Sequence, residues 1–260
     1  MRFCSISSGS NGNCSFVETD ERRILIDAGL SARSIEGLLR EKEIDPATIS
    51  AIFVTHEHTD HTCGVGVWAR RYKIPVMATA GTWKGMEKTV GSIPGELRVE
   101  IESGRGYRMG DMRILAIPTS HDANDPCAYT VESGGRKVSV ITDTGYLTQQ
   151  MVDHLKDSDL AVVESNHDIE MLLNGPYSFA LKKRIRGSKG HLSNNDCGDV
   201  LAEVRRSNQG GVFLLGHLSE ENNRPDLAIR TVSDIISQSG MNVGEVELTV
   251  RGGTTDLFLI

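Results

Sequence analysis

The stretch THEHTDH, residues 55–61, decides how the rest of the chain is interpreted. It overlaps the aliphatic run SAIFVTH, residues 50–56, which is typical of a buried strand. Four of its last six positions carry metal-ligand side chains: His56, His58, Asp60 and His61. Alternate residues of an extended loop can point the same way, so one loop could serve two ions. The alternative is a solvated polar loop that contains histidines by chance.

Seven aliphatic runs along the chain predict buried strands. They span residues 22–29, 50–56, 74–79, 112–121, 136–145, 158–165 and 210–217. Helix-like segments follow at 31–43, 64–73 and 194–208. In α/β proteins the carboxyl ends of strands gather ligand-binding groups along one sheet edge. Acids and histidines stand at such ends in six places: Asp27, His56, His121, Asp143, Glu164 and His217.

Completing two metal sites requires ligands from outside the 55–61 stretch, and three strand-end residues can supply them. The candidates are His121 in TSHD, Asp143 in TDTG and His217 in LGHLS. Because a carboxylate has two oxygens, Asp143 could bridge two cations. Asp27, in ILIDAG, is better explained as an acceptor that orients a ligand histidine. Imidazole and carboxylate ligands suit zinc, manganese or iron, so the residue types do not select the metal.

Length and composition indicate a globular α/β chain. The 260 residues are 38% hydrophobic, and no linker or repeat marks a boundary, so we expect one domain over residues 1–260. The absence of a membrane-length apolar run, together with five widely spaced cysteines, predicts a cytoplasmic protein with reduced thiols and no membrane contact. A net charge of −7 argues against nonspecific coating of nucleic acid but allows a local basic groove. No obligate protein partner is evident.

The chain resembles the metallo-β-lactamase superfamily in the order and spacing of Asp27, HEHTDH at 56–61, His121, Asp143 and His217. The resemblance implies a four-layer αββα sandwich with a dinuclear site at one sheet edge. The chain is more narrowly similar to the YycJ/WalJ group of bacterial hydrolases, associated with DNA exonuclease activity, in SSGSNGNCSFVE, THEHTDHTCGV, ESNHD, LKKRIRGSKGHLSN and LGHLSEENN. By this resemblance one ion is held by His56, His58, His121 and Asp143, and the other by Asp60, His61, Asp143 and His217.

A basic run bears on which bond the predicted site would break. Residues 177–195, YSFALKKRIRGSKGHLSNN, contain no acid in a chain that is acidic overall. The cations of the run are Lys182, Lys183, Arg184, Arg186 and Lys189. The run is either a solvated helix face followed by a turn or a surface that contacts substrate phosphates.

A candidate proton donor lies at the end of the same run. GHLS at 190–193 and ESN at 164–166 resemble paired elements of the transfer-RNA 3′-processing endonucleases of this superfamily. The resemblance implies that Glu164 orients His191 and raises its basicity, so that His191 can protonate the leaving oxygen. A phosphodiester needs this acid more than an activated lactam does, because its alkoxide leaving group is poor. The chain lacks the long arm of those endonucleases, which argues against transfer RNA.

We therefore expect a dinuclear metal-dependent phosphodiesterase acting on nucleic acid, with a DNA exonuclease favoured. In the expected mechanism a hydroxide held between two divalent ions, zinc or manganese with iron as a further option, attacks phosphorus in line. Asp60 accepts the water's proton as well as binding metal, and His191 protonates the departing sugar oxygen. Two alternatives stay open. One is a small-molecule hydrolase for a cyclic phosphodiester, thioester or lactone, and the other is a noncatalytic metal-binding regulator.

Two further features each allow two interpretations. The stretch SSGSNGNCS, residues 7–15, is expected to join the first two strands in a tight turn, because glycine and asparagine accept positive φ. Its backbone amides could also cradle a phosphate. Asn166 and His167 in ESNHD either line the substrate pocket or make structural hydrogen bonds.

Overall fold

The structure, a computed structural model, describes residues 1–260. Fourteen strands are present. They are β1 (Arg2–Ser7), β2 (Cys14–Glu18), β3 (Arg23–Ile26), β4 (Ala51–Phe53), β5 (Val76–Thr79), β6 (Arg98–Ile101), β7 (Gly106–Met109), β8 (Met112–Pro118), β9 (Cys127–Ser133), β10 (Arg136–Ile141), β11 (Leu160–Glu164), β12 (Val212–Gly216), β13 (Val246–Leu248) and β14 (Phe258–Leu259). All seven strands expected from the aliphatic runs are among them.

Nine α-helices connect the strands, with short 3₁₀ turns at Pro46–Thr48 and Gly95–Leu97. The helices are α1 (Ala32–Glu41), α2 (Thr59–Thr62), α3 (Val65–Tyr72), α4 (Ala80–Val90), α5 (Gln149–Lys156), α6 (Ile169–Asn174), α7 (Phe179–Ile185), α8 (Asn194–Arg205) and α9 (Pro225–Gln238). The three expected helices correspond to α1, α3 and α8. No helix combines the length and the apolar character that crossing a membrane requires.

The chain divides into two compact units. The first comprises Met1–Pro118, Ala123–Arg136 and Val250–Ile260, and the second comprises Thr119–Asp122 and Lys137–Thr249. Two compact units can fold together or separately, so the expectation of one domain over residues 1–260 stays a prediction.

The first unit contains a sheet in the order β14-β1-β2-β3-β4-β5-β6. Strands β1 to β3 pair antiparallel, whereas β3 to β6 pair parallel. Every residue of β4 and β5 is buried, as the unbroken aliphatic runs predicted, because a parallel strand is covered on both faces. The core against this sheet includes Phe16, Ile35 and Trp68, none of which is exposed. The same unit holds the antiparallel ribbon β7-β8-β9.

The second unit is organised by four parallel strands, β10 to β13. Helices α5, α8 and α9 bury their apolar faces through residues such as Leu155, Leu201 and Val232. Helix α8 begins with a capping box in which the Ser193 and Asp196 side chains each bind the other's backbone N–H. Because the strands run parallel, the carboxyl ends of β10, β11 and β12 lie at one edge. That edge carries three of the predicted site residues.

Candidate functional site

The first unit brings five predicted site residues together, which we call the first cluster. Asp27 follows β3, and His56, His58, Asp60 and His61 follow β4. Because β3 and β4 are parallel neighbours, both segments leave the sheet at the same edge. Asp27, His56 and His61 are buried, whereas His58 and Asp60 are partly exposed.

Asp27 holds the loop after β4 in place. Its Oδ1 accepts from the Thr55 N–H at 2.8 Å, and its Oδ2 accepts from the Thr55 hydroxyl at 2.8 Å and lies 2.7 Å from His61 Nδ1. Burial raises the pKa of the Asp27 carboxyl, while His61 and Thr55 act in the opposite direction. When His61 donates from Nδ1 to this carboxylate, the lone pair suited to a metal is on Nε2.

The donor atoms of the first cluster have spacings that suit a metal ion. His56 Nε2 lies 3.0 Å from His58 Nδ1, and His61 Nε2 lies 3.4 Å from Asp60 Oδ2. Two ligands bound tetrahedrally to zinc at about 2.0–2.1 Å are roughly 3.3 Å apart. Both pairs therefore have the chemistry and the separation of neighbouring ligands.

Asn13, in the turn at residues 7–15, also contacts this cluster, a role that the sequence of the turn does not indicate. Its Nδ2 lies 3.1 Å from His61 Nε2 and donates to Asp60 Oδ2 at 3.3 Å. Its Oδ1 accepts from the Gly9 N–H at 2.9 Å, which turns the amide nitrogen toward the two ligands. The loop between β1 and β2 is thus a support for the ligand loop as well as a turn.

The second unit brings together a second cluster at the edge where β10, β11 and β12 end. Asp143 follows β10, Glu164 is the last residue of β11, and His217 follows β12. His121 comes from the short segment Thr119–Asp122, and His191 precedes α8. Four of the five side chains are buried, and His191 is partly exposed.

Two histidines of the second cluster, His217 and His121, are held through Nδ1, as His61 is. His217 Nδ1 lies 3.0 Å from Glu164 Oε1, and His121 Nδ1 lies 3.1 Å from the Gly190 carbonyl oxygen. Their Nε2 atoms lie 3.5 and 3.8 Å from Asp143 Oδ1. Burial lowers the pKa of His121, which favours the neutral imidazole that binds metals. A metal-ligating histidine usually donates one ring N–H to a carboxylate or carbonyl oxygen, which leaves the other nitrogen for the metal, and both His217 and His121 have this arrangement.

Glu164 and His191 form a close polar contact within the second cluster. His191 Nδ1 lies 2.7 Å from Glu164 Oε1, and Glu164 Oε2 accepts from the Thr144 N–H at 3.0 Å. Burial alone would raise the pKa of Glu164, but the charges and hydrogen bonds of His191 and, to a smaller extent, His217 outweigh it, and the pKa lies well below its ordinary value. Burial alone would lower the pKa of His191, but Glu164 outweighs it and the pKa is raised. The pair is therefore suited to hold a proton on His191.

Three predicted site residues have a left-handed backbone, with φ of 63° at Asp27, 56° at Asp143 and 57° at His217. This conformation costs a non-glycine residue roughly 1–2 kcal/mol, although aspartate and histidine tolerate it better than most residues. Each residue lies within two positions of the end of its strand. The turned backbone directs the side chain away from the strand path, and strain of this kind clusters at functional sites.

The five cations of the basic run fall into two groups, those held by a contact within the protein and those that are not. Lys182 Nζ donates to the Leu173 carbonyl at 2.7 Å, and Arg184 forms an ion pair with Asp122. Lys183, Arg186 and Lys189 are exposed and form no ion pair. These three cations are therefore exposed without an acidic partner, unlike Arg184.

A pocket of about 210 Å³ lies beside His191 in the second unit. Its wall includes His167 and Arg186. That this pocket receives the substrate stays a prediction. Burial lowers the pKa of His167 to about 4, which keeps the ring neutral. Asn166 instead donates from Nδ2 to the His217 carbonyl at 2.9 Å, which is a structural hydrogen bond.

The chain is similar to known proteins over most of its length. It matches the beta-lactamase superfamily domain over residues 22–217. It is 40% identical to Exodeoxyribonuclease YycJ of Bacillus anthracis over 245 residues, which cover 94% of this chain and 92% of the relative. It is 37% identical to Exodeoxyribonuclease WalJ of Streptococcus pneumoniae over 246 residues, 94% of this chain and 91% of the relative. Among solved structures, the metallo-β-lactamase fold protein YhfI of Bacillus subtilis has a TM-score of 0.71 at 15% identity, with 98% of both chains covered.

Proposed function

Because the chain belongs to the beta-lactamase superfamily and, within it, to the YycJ/WalJ group, we propose that it is a metal-dependent exonuclease that hydrolyses DNA. Membership makes the chain a metal-dependent hydrolase, as the sequence predicted. The predicted metallo-β-lactamase fold is confirmed by the family match and by the likeness to YhfI. DNA as the substrate comes from the names of the two relatives and is part of the proposal, as is a cytoplasmic location without an obligate protein partner.

We propose that the two clusters together bind two divalent ions. The family match over residues 22–217 contains every candidate ligand, and His61, His121 and His217 share one mode of orientation. The proposed ligands are His56, His58, His121 and Asp143 for one ion, and Asp60, His61, Asp143 and His217 for the other. Zinc and manganese both accept this donor set. When bound, such ions activate a water molecule and neutralise charge on the phosphate.

The protein's own groups supply the proton transfers in this proposal. Asp60, partly exposed and at the start of α2, accepts the proton of the attacking water in addition to binding metal. His191 protonates the departing sugar oxygen, and Glu164 keeps its imidazole charged and correctly turned. The Glu164–His191 pair is the observation that carries the phosphodiester assignment, because an alkoxide leaving group depends on a proton donor.

The deciding experiment presents metal-loaded protein with four end-labelled or chromogenic substrates. These are single-stranded DNA, double-stranded DNA, RNA and an aryl phosphodiester, with Asp60→Ala as the inactive control. We expect progressive shortening of DNA from an end, abolished in Asp60→Ala. Hydrolysis of the aryl ester alone would support a small-molecule hydrolase instead. No hydrolysis of any substrate, with metal content complete, would support a noncatalytic regulator.

A further inference from the structure

Phe179, the first residue of α7, is unusually exposed for an aromatic side chain. Its exposed fraction is 83%, and that of its neighbour in the pocket wall, Leu173, is 43%. Both line a pocket of about 590 Å³ in the second unit. An exposed apolar surface of this kind indicates a binding site for a ligand with an apolar face.

The same pocket has a cationic rim. Lys182, Lys183 and Arg186 line it together with Gly187. Lys182 is held by its hydrogen bond to the Leu173 carbonyl, whereas Lys183 and Arg186 form no ion pair. In a chain with a net charge of −7, such a rim favours an anionic occupant. A nucleotide unit offers both of these features, an apolar base face and a negatively charged phosphate.

Arg186 connects this pocket with the candidate chemistry. It also lines the 210 Å³ pocket whose wall contains His191. A DNA strand bound at Phe179 can therefore extend past Arg186 toward His191, the proposed proton donor.

We propose that Phe179 stacks on an unpaired base of the DNA strand being cut, while Lys183 and Arg186 bind neighbouring phosphates. The inference rests on the proposed nuclease function and adds the state of the substrate to it. Stacking on an aromatic face is tolerant of base identity and requires a base that is not paired. The enzyme should therefore prefer single-stranded or frayed ends to blunt duplex ends.

The test compares Phe179→Ala and Phe179→Trp on metal-loaded protein. The substrates are a fluorescein-labelled (dT)20 and an analogue with abasic sites. Loss of one stacked base lowers binding affinity by about 5- to 150-fold. Phe179→Ala should therefore raise KM on (dT)20 by that factor, with little change in kcat. Tryptophan should restore the wild-type KM. On the abasic analogue wild type and Phe179→Ala should be equal, since no base is present to stack. Leu259→Ala, at an apolar side chain that is 84% exposed outside this pocket, should match wild type.

Three outcomes would overturn the inference. If wild type degrades (dT)20 and Phe179→Ala has the same KM, the ring holds no base, although the nuclease function stands. If light scattering shows a dimer that Phe179→Ala converts to a monomer, the patch is a subunit contact. If wild type degrades no nucleic acid at all, the proposed function fails and this inference fails with it.

Discussion

The carboxylate oxygen Oε1 of Glu164 lies 2.7 Å from Nδ1 of His191. The same oxygen lies 3.0 Å from Nδ1 of His217. One buried carboxylate thus orients both the proposed proton donor and a proposed metal ligand. Changes at Glu164 should affect metal binding and proton transfer together, whereas changes at His191 should affect proton transfer alone.

Replacing His191 by Ala should lower DNA cleavage by about 10²–10⁴-fold, the usual contribution of a general acid. Hydrolysis of bis(p-nitrophenyl) phosphate should fall far less, because a nitrophenolate leaves without a proton. The measurement is kcat on both substrates at equal metal content. An equal loss on both would show that His191 acts through something other than the leaving group. Glu164→Gln should lower kcat by a smaller factor in the His191→Ala background than in the wild type, because the two residues act as a unit.

Replacing Asp27 by Asn should weaken metal binding by about 10- to 100-fold, as loss of a group that orients a ligand usually does. Asparagine has the same size and tolerates the φ of 63° at this position, so the change isolates the carboxylate that faces His61. Competition with a fluorescent chelator measures the affinity, and Asp20→Asn, at an exposed acid, is the control. Unchanged affinity in Asp27→Asn would mean that His61 is oriented by other contacts.

The strand ends could be predicted because parallel strands leave a clear pattern. Leu25, Ile52 and Leu214 lie in runs that are aliphatic on both faces, which a strand covered on both sides requires. Once such strands are assigned, a residue such as Asp143 must follow one of them at the ligand-binding edge. The spacing of the ligand-type side chains from His56 to His61 predicted a metal site. The strands and the candidate residues therefore follow from local pattern and chemistry.

Features that depend on long-range contacts could not be predicted. Asn13 reaches His61 across 48 positions of sequence, and an asparagine in a turn looks the same whether or not it contacts a ligand. The pocket beside Phe179 depends on Leu173 and on how Lys182 is held. The sequence of the basic run could not show which cations bind other groups of the protein, as Lys182 and Arg184 do. These contacts join residues that are distant in sequence, so no local pattern predicts them.

Removing the metal should lower thermal stability as well as abolish activity. Each ion that binds only the folded chain stabilises it by about 2.7 kcal/mol at 100 times its Kd. For the two proposed ions and a chain of this size, that corresponds to a decrease in Tm of roughly 10–20 °C on chelation. Calorimetry with and without EDTA measures it. Asp60→Ala, which lacks one proposed ligand, should show a smaller difference, and identical melting of wild type in both buffers would contradict metal binding in the folded state.

Reversing charge at Lys183 and Arg186 should weaken DNA binding and flatten its salt dependence. Each phosphate of single-stranded DNA that the variant no longer neutralises should reduce the slope of log K against log salt concentration by about 0.7. The double variant Lys183→Glu and Arg186→Glu is compared with Lys84→Glu and Lys88→Glu, which makes the same charge change on exposed residues of α4. If both pairs change the slope equally, the effect is one of net charge and the basic run is a solvated helix face.

Replacing Gly29 by Ala should disrupt the ligand loop of the first cluster. An added Cβ would lie 1.6 Å from the Asp60 carbonyl oxygen and 2.6 Å from the Asn13 nitrogen, both backbone atoms that no rotamer change can move. Overpacking of this kind costs about 1–3 kcal/mol, and the displaced loop should also bind metal more weakly. Gly37→Ala, in α1 where nothing lies within 4 Å of the added carbon, should instead stabilise the chain by about 0.5–1 kcal/mol. Urea denaturation in EDTA separates the folding effect from metal content measured on the loaded protein. A Gly29→Ala variant with normal stability and full metal content would show that Asp60 is not held against the backbone of Asn13 and Gly29.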